Sequence, residues 1–173
     1  MIDFILGGAR SGKSALAEQR AQAFIDKNMI YIATAQAHDS EMKDRIAHHR
    51  QGRSEDWTVV EEPLKLHQAI KKYDDSSNII LVDCLTLWMS NLLMLDCWDI
   101  AKAHIDELMA GLPHLKADII LVSNETGLGV VPIGQLTRQF VDESGRLHQQ
   151  IGKIADRVTF CVAGFPMILK GSI

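Results

Sequence analysis

The sequence lacks the usual marks of secreted, membrane-spanning and nucleic-acid-wrapping proteins. It has only three cysteines, at positions 84, 97 and 161, and no two of them form a Cys-x-x-Cys pair. Because an odd number of cysteines cannot close a disulfide framework, we expect a reducing, cytoplasmic compartment. The 18 Lys and Arg against 22 Asp and Glu give a formal charge of −4, so no general basic field is available for nucleic acid. Any anion must therefore bind at a local site.

Long apolar runs, internal repeats and low-complexity tracts are absent as well. The short apolar run 2–6 leads directly into glycines, without the basic segment and longer apolar core of a secretion signal. No uninterrupted apolar stretch approaches the ~18 residues that a membrane span requires. The chain has 173 residues, of which 47% are hydrophobic and 23% charged, and it contains no linker. We therefore expect one globular domain over residues 1–173.

Apolar runs typical of β-strands recur along the chain with helical stretches between them. The predicted strands are 2–6, 29–33, 57–60, 78–83, 117–123 and 157–163. The predicted helices are 14–27, 40–50, 63–73, 85–94, 101–112 and 133–154. Several strand runs are continuous rather than alternating, as expected where helices cover both faces of a sheet. The pattern predicts an α/β fold with a mostly parallel β-sheet flanked by helices.

The segment GGARSGKS fits the pattern GxxxxGK[ST] and lies between a predicted strand and a predicted helix. Its glycines allow successive backbone N–H groups to point into one concavity, to which the helix adds its positive N-terminal end. The segment therefore predicts a phosphate-binding P-loop, formed by Gly7, Gly8, Ala9, Arg10, Ser11, Gly12, Lys13 and Ser14. Lys13 is expected to reach the β- and γ-phosphate oxygens, and the Ser14 hydroxyl to bind Mg²⁺. A merely structural glycine turn is the alternative.

A P-loop site also needs a carboxylate that orients hydrated Mg²⁺ from the end of a neighbouring buried strand. Asp83 closes the run 79–83 and is placed for this role. The alternative is that Asp83 caps the helix that begins near Cys84. The two roles are compatible.

The region after the second predicted strand is rich in basic side chains, namely His38, Arg45, His48, His49, Arg50 and Arg53. A solvated helix face would explain them. A zinc site is disfavoured, because neighbours in a helix diverge by about 100° and His48 and His49 cannot both face one ion. A single nucleophilic histidine fits the position, since the segment follows a strand whose end belongs to the ligand-binding edge. Its attack on an α-phosphorus would give a phosphoramidate, with arginines neutralising the phosphate charge.

Together these motifs resemble the bifunctional adenosylcobinamide kinase/adenosylcobinamide-phosphate guanylyltransferases of adenosylcobalamin (vitamin B12) biosynthesis. The resemblance covers nearly the whole chain, in the blocks 7–14, 31–36, 39–53, 57–63, 82–93, 123–132 and 142–149. It implies a three-layer, RecA-like P-loop NTPase fold and a homotrimer. It also implies two reactions: adenosylcobinamide is phosphorylated by ATP or GTP, and GMP is then transferred from GTP to adenosylcobinamide phosphate. The second reaction would release pyrophosphate and pass through a guanylylated histidine.

By this resemblance the covalent histidine is His48 and not His49. The resemblance places the nucleotide against the P-loop and against Thr34, Ala35, Gln36, Gln51, Gly52, Arg53 and Asp83, with Mg²⁺ at Ser14 and Asp83. Glu62 is our choice for reading the N–H donors of guanine. Glu61 and Glu62 can equally be acidic residues at a helix N-terminus before Pro63.

Other features leave alternatives open. Asn124 and Glu125, followed by two glycines, form either a substrate-facing edge or a plain turn. The apolar residues Leu87, Trp88, Leu92, Leu93 and Trp98 form either a subunit seam or part of the core. Ser54, Ser144 and His148 stand where the family usually has proline, alanine and asparagine.

Attack occurs at the γ-phosphorus in one reaction and at the α-phosphorus in the other, so we expect a helix over 39–53 that moves between them. Two other functions remain possible from the sequence. One is a monofunctional P-loop small-molecule kinase in which His48 is a surface residue, and the other is a non-enzymatic nucleotide-binding module.

Overall fold

The computed structural model describes residues 1–36 and 56–172. Its strands are β1 (Ile2–Gly7), β2 (Asn28–Ala33), β3 (Trp57–Glu61), β4 (Asn78–Asp83), β5 (Asp118–Asn124), β6 (Arg157–Val162) and β7 (Phe165–Lys170). Within the described ranges they form one sheet with the order β3-β2-β4-β5-β1-β6-β7. Every pair is parallel except β6–β7. The predicted α/β fold with a mostly parallel sheet is confirmed.

The six predicted strands begin and end within one residue of the observed ones, whereas β7 was not predicted. It pairs antiparallel with β6 through the two-residue turn Ala163–Gly164. Both turn residues have positive φ, 51° and 84°, which is typical of a type I′ hairpin. A small residue followed by glycine between two apolar runs is the sequence signal that would have predicted this strand.

The helices are α1 (Lys13–Gln22), α2 (Leu66–Lys72), α3 (Leu85–Leu93), α4 (Trp98–Gly111) and α5 (Gln135–Ile154), and a 3₁₀ turn follows α4 at Leu112–His114. The predicted helix 14–27 ends early, because the chain must turn before β2 begins at Asn28. Helix α5 is continuous through Gly145, where a Cβ atom would meet nothing within 4 Å. The predicted helix 40–50 lies outside the described residues. No helix in the described ranges has the length and apolarity that a membrane span needs.

The core consists of two apolar clusters, one on each face of the sheet. Successive strand residues point to opposite faces, so Phe4 and Leu121 belong to one cluster and Ile5 and Val122 to the other. Helices α3, α4 and α5 contribute to the first cluster, and α1 contributes to the second. The result is the expected three-layer arrangement.

The apolar set around Trp88 belongs to this core. Trp88 and Leu92 are fully buried. Leu87, Leu93 and Trp98 are partly buried and pack against the two clusters. The core interpretation is therefore confirmed for Trp88 and Leu92, and the other three residues pack against the core.

A buried carboxylate connects α1 to the middle of the sheet. Asp3, which is fully buried, accepts hydrogen bonds from Arg20 Nη1 at 3.0 Å on each oxygen and a further bond from Arg157 Nη2. Arg20 Nη1 also donates to Thr159 Oγ1 at 3.0 Å. Because the two guanidinium groups are themselves largely buried, they depend on this one carboxylate for charge compensation.

We predict that Asp3→Asn lowers the free energy of unfolding by about 3 kcal/mol, because it leaves two largely buried guanidinium groups without a counter-charge. Urea unfolding followed by tryptophan fluorescence measures the change. Glu143→Gln is the control: its partner Arg146 is 63% exposed, and the loss should stay below about 1 kcal/mol. Equal losses in the two variants would contradict the prediction.

Candidate functional site

The loop between β1 and α1 is a tight turn at the edge where the parallel strands end. Ser11 N donates to Gly8 O at 3.3 Å, and Arg10 and Gly12 have φ values of 57° and 92°. Where residues in the left-handed backbone conformation alternate with residues in the right-handed one, successive backbone N–H groups point in the same direction. Gly7 has no room for a side chain, because a Cβ there would lie 2.7 Å from Cys161 O. The turn therefore has the form expected of a phosphate cradle.

The first turn of α1 is open to an anion. The N-cap residue is Gly12, no side chain caps the helix, and the first turn carries no acidic residue. The free N–H groups at a helix N-terminus bind anions. Ser11 Oγ is buried beside this terminus and has no hydrogen-bond partner among the described residues.

Lys13 is the charged residue of this turn, and it is only 8% exposed. Its Nζ donates to Gly8 O at 3.3 Å and forms no ion pair with any carboxylate in residues 1–36 and 56–172. A buried ammonium group without a counter-charge is unfavourable. A phosphate bound in the turn would supply that counter-charge.

Asp83 ends β4 at the same edge of the sheet, and its Oδ2 accepts a hydrogen bond from Tyr31 OH at 3.0 Å. Helix α3 has Cys84 as its N-cap residue and no side-chain cap. The alternative role of Asp83 as the cap of this helix is therefore not observed. Burial, and then the charge of Asp83, raise the pKa of the Cys84 thiol to about 11, so this thiol stays protonated at neutral pH.

The edge of the sheet beside the P-loop carries oxygen donors of the kind that Mg²⁺ prefers. The described ranges contain no cluster of three or more His, Cys, Asp or Glu side chains suited to a metal. Mg²⁺ is usually bound through one or two protein oxygens together with water and substrate phosphates. Ser14, in the open first turn of α1, and Asp83 are hard oxygen donors of this kind and fit the ion.

Thr34 is the first residue after β2 and is fully buried. Its Oγ1 donates to Cys84 O at 2.6 Å and accepts from Cys84 N at 3.0 Å. The hydroxyl thus ties the end of β2 to the start of α3. Ala35 and Gln36 follow it and are half-buried, which leaves them accessible to a ligand.

Glu62 follows β3 and lies just before α2, whose N-cap residue is Lys65. Its Oε1 accepts hydrogen bonds from Leu64 N at 3.0 Å and from Lys65 N at 2.8 Å. This is the helix-terminus role that the sequence left open. The role of Glu62 in reading guanine stays a prediction and would depend on its second carboxylate oxygen.

His48, the residue predicted to carry the nucleotide, lies outside the described residues. The same holds for Gln51, Gly52 and Arg53 and for the predicted helix over 39–53. Among the predicted site residues in the described ranges, the P-loop, the residues after β2 and β3, and Asp83 all lie at the same edge of the sheet.

A polar network behind the end of β5 was not predicted. His148 Nε2 on α5 lies 2.8 Å from Ser123 Oγ, which lies 3.3 Å from Thr86 Oγ1 on α3. Thr86 Oγ1 also accepts a hydrogen bond from Asn124 N at 2.6 Å. The sequence signal for this network is that polar residues end an apolar strand. That signal does not indicate which helices supply their hydrogen-bond partners.

Glu125 joins this network to the P-loop strand. Its backbone N donates to Gly7 O at 3.1 Å, and its Oε1 accepts from Gly127 N. Its Oε2 lies 3.9 Å from His148 Nδ1. Burial lowers the pKa of His148 below its ordinary value of 6.5, and the opposing effect of Glu125 is smaller. His148 is therefore a neutral imidazole at pH 7.

The mostly parallel sheet and the glycine turn define a P-loop protein of RecA-like architecture. Two solved structures share this fold: flagellar accessory protein FlaH of Methanocaldococcus jannaschii (TM-score 0.53) and a KaiC-like protein of Pyrococcus horikoshii (TM-score 0.52). The likenesses cover 99% and 92% of this chain and 78% and 69% of those chains, respectively. Each is 14% identical to this chain in sequence, so they show the fold alone.

Sequence comparison defines the family within this class. A sequence profile described as "Cobinamide kinase / cobinamide phosphate guanyltransferase" matches residues 3–169. A Pseudomonas aeruginosa protein described as "Bifunctional adenosylcobalamin biosynthesis protein CobP" is 53% identical over 171 residues, which are 99% of this chain and 98% of the relative. The Escherichia coli K12 protein described as "Bifunctional adenosylcobalamin biosynthesis protein CobU" is 37% identical over 185 residues, covering 98% of this chain and 100% of the relative.

The chain belongs to the cobinamide kinase / cobinamide phosphate guanyltransferase family. It is a bifunctional enzyme of adenosylcobalamin biosynthesis, with kinase and guanylyltransferase activities. The family resemblance found in the sequence is thereby confirmed, and the non-enzymatic alternative is excluded.

We predict that His148 makes stability depend on pH below its ordinary pKa of 6.5. The unfolded chain binds this proton more readily than the folded chain, so stability is fully present above that pH and falls as the pH decreases. Urea midpoints at several pH values should therefore fall less steeply with acid in His148→Asn than in the unmodified protein. His114→Asn, at an exposed position, is the control. Parallel profiles for the unmodified protein and His148→Asn would refute the prediction.

Proposed function

We propose that the P-loop binds the triphosphate of GTP or ATP in both reactions and that His48 carries GMP in the second. The observation that supports the triphosphate site best is Lys13, a buried ammonium group beside an uncapped helix N-terminus and without a carboxylate partner in the described ranges. A triphosphate compensates this charge and accepts hydrogen bonds from the free N–H groups.

In the kinase reaction, the hydroxyl oxygen of the aminopropanol arm of adenosylcobinamide attacks the γ-phosphorus. A new O–P bond forms while the bond from the γ-phosphorus to the β,γ-bridging oxygen breaks, so the nucleoside diphosphate leaves. The hydroxyl proton is lost to solvent as the phosphate ester forms. Lys13 contributes by stabilising the negative charge that develops on the bridging and γ-oxygens.

In the transferase reaction, an imidazole nitrogen of His48 attacks the α-phosphorus of GTP. The new N–P bond replaces the bond from the α-phosphorus to its bridging oxygen, and pyrophosphate leaves. A phosphate oxygen of adenosylcobinamide phosphate then attacks the same phosphorus, which breaks the N–P bond and restores His48. Support for this path comes from the guanyltransferase family and from β2, which precedes His48 in the chain and ends at the sheet edge that carries the P-loop.

Mg²⁺ is the proposed cofactor, and it would neutralise part of the triphosphate charge when bound. Ser14 and Asp83 are the residues that we propose to hold it. The hydrogen bond from Tyr31 orients the Asp83 carboxylate, and no helix-capping bond competes for it. A homotrimer and a cytoplasmic location stay predictions from the resemblance and the composition.

We predict that the protein incubated with α-³²P-GTP acquires an acid-labile, alkali-stable label and that His48→Ala abolishes it. Guanylyl transfer should fall by a factor on the order of 10³ or more, because no other group replaces the nucleophile. His49→Ala is the matched control and should retain the label. Kinase activity, measured in both variants, checks that each is folded. An unlabelled but active unmodified enzyme, or equal losses in the two variants, would overturn the assignment.

We predict that Asp83→Asn raises the Mg²⁺ concentration for half-maximal kinase activity by about tenfold or more, because an amide is a much weaker ligand than a carboxylate. The amide oxygen can still accept the Tyr31 hydrogen bond, so the strand end should keep its structure. A Mg²⁺ titration of the kinase rate measures the effect, with the exposed Asp99→Asn as control. An unchanged Mg²⁺ requirement in Asp83→Asn would argue against the metal role.

A further inference from the structure

We propose that the tip of the β6–β7 hairpin is a platform for the purine base of the nucleotide, with Val162 and Phe165 as its apolar surface. The proposal rests on the proposed binding of the triphosphate at the P-loop. It assigns a nucleobase subsite to residues that no sequence motif indicated.

The hairpin tip is in direct contact with the P-loop. Gly164 N donates to Ser11 O at 2.9 Å. A Cβ atom on Gly12 would lie 3.2 Å from Gly164 Cα, so the two backbones approach closely at this point. The turn and the phosphate cradle therefore form one continuous surface.

The order of the strands gives the direction in which a bound nucleotide must extend. Asp83 ends β4, which lies two strands from β1 on one side, whereas β6 adjoins β1 on the other side. Neighbouring strands are ~4.8 Å apart, so β4 lies about 10 Å from the P-loop strand. A triphosphate whose γ end points toward Asp83 directs its α-phosphate and nucleoside the other way, across the end of β6. The hairpin tip is located there.

The two apolar side chains at the tip suit a flat aromatic ligand. Val162 and Phe165 are direct cross-strand partners and so lie on the same face of the hairpin, with Cβ atoms about 5 Å apart. They are 50% and 77% exposed. An exposed phenylalanine beside an anion site provides a stacking surface, and stacking of a base on an aromatic ring strengthens binding by about 5- to 150-fold.

Stacking on this platform would not distinguish adenine from guanine, because every purine has the same kind of π-face. The subsite would therefore add affinity for both ATP and GTP. Selection of guanine in the transferase reaction must come from polar groups elsewhere.

A second copy of the chain is the competing occupant of this surface. Met167 lies two residues beyond Phe165, on the same face of β7, and is 51% exposed. It is ~7 Å further from the turn, so a subunit contact would use it whereas a base at the P-loop would not. Met167→Ala is therefore the matched control for Phe165→Ala.

The test measures the binding of GTP, ATP and inorganic tripolyphosphate to the full chain, by calorimetry or by competition with a fluorescent GTP analogue. Phe165→Ala should weaken both nucleotides about tenfold or more and leave tripolyphosphate within about twofold. Phe165→Trp should restore nucleotide binding, and Met167→Ala should bind all three ligands normally. Urea unfolding checks that each variant is folded.

Three results would overturn the platform. They are unchanged nucleotide affinity in Phe165→Ala, an equal loss of tripolyphosphate affinity, and an equal effect of Met167→Ala accompanied by a lower mass in light scattering. Lys13→Ala tests the underlying site separately, because it should weaken all three ligands. Unchanged tripolyphosphate binding in Lys13→Ala would contradict the P-loop proposal, on which the platform rests. Weaker tripolyphosphate binding in Lys13→Ala together with unchanged nucleotide affinity in Phe165→Ala would contradict the platform alone.

Discussion

A buried positive charge without a partner carboxylate is unfavourable. Lys13 is buried in this way, with no carboxylate partner in residues 1–36 and 56–172, and the backbone around it holds it there. The glycine turn begins where β1 passes so close to β6 that Gly7 has no space for a side chain. It ends at an uncapped helix, and the free N–H groups of that helix point toward the position that an anion would occupy. A phosphate bound there, as we propose, would relieve both unfavourable features at once, and the other residues of the proposed site are arranged around this turn.

The parallel sheet supplies the remaining groups, because the ends of its parallel strands meet at one edge. Hydrogen bonds between neighbouring strand ends hold this edge together: Thr34 is bonded to Cys84, Thr86 to Asn124, and Glu125 to Gly7. These contacts fix the strand end that carries Asp83 relative to the P-loop. A site that is preorganised in this way needs little rearrangement when charge develops on a phosphate.

Much of the fold could be predicted because continuous apolar runs are a strong signal for buried parallel strands. The edge strand β7 escaped prediction, since most of its side chains are exposed and it has no buried pattern. Thr34 and Glu62 show a different limit. Their residue types suit a ligand site, yet the structure shows the Thr34 hydroxyl and one Glu62 oxygen bonded to nearby backbone. A polar residue at a strand end can bind a ligand or form a hydrogen bond with nearby backbone, and the residue type alone does not indicate which.

The P-loop and its chemistry were determined by the sequence itself, because the residues that form the turn are contiguous and their backbone preferences are local. The family followed from motifs of the same contiguous kind. Only the tertiary structure decided that His148 meets Ser123 and that Gly164 meets Ser11. These partners are far apart in the chain and come together through the strand order and the packing of helices on the sheet, which no local preference specifies.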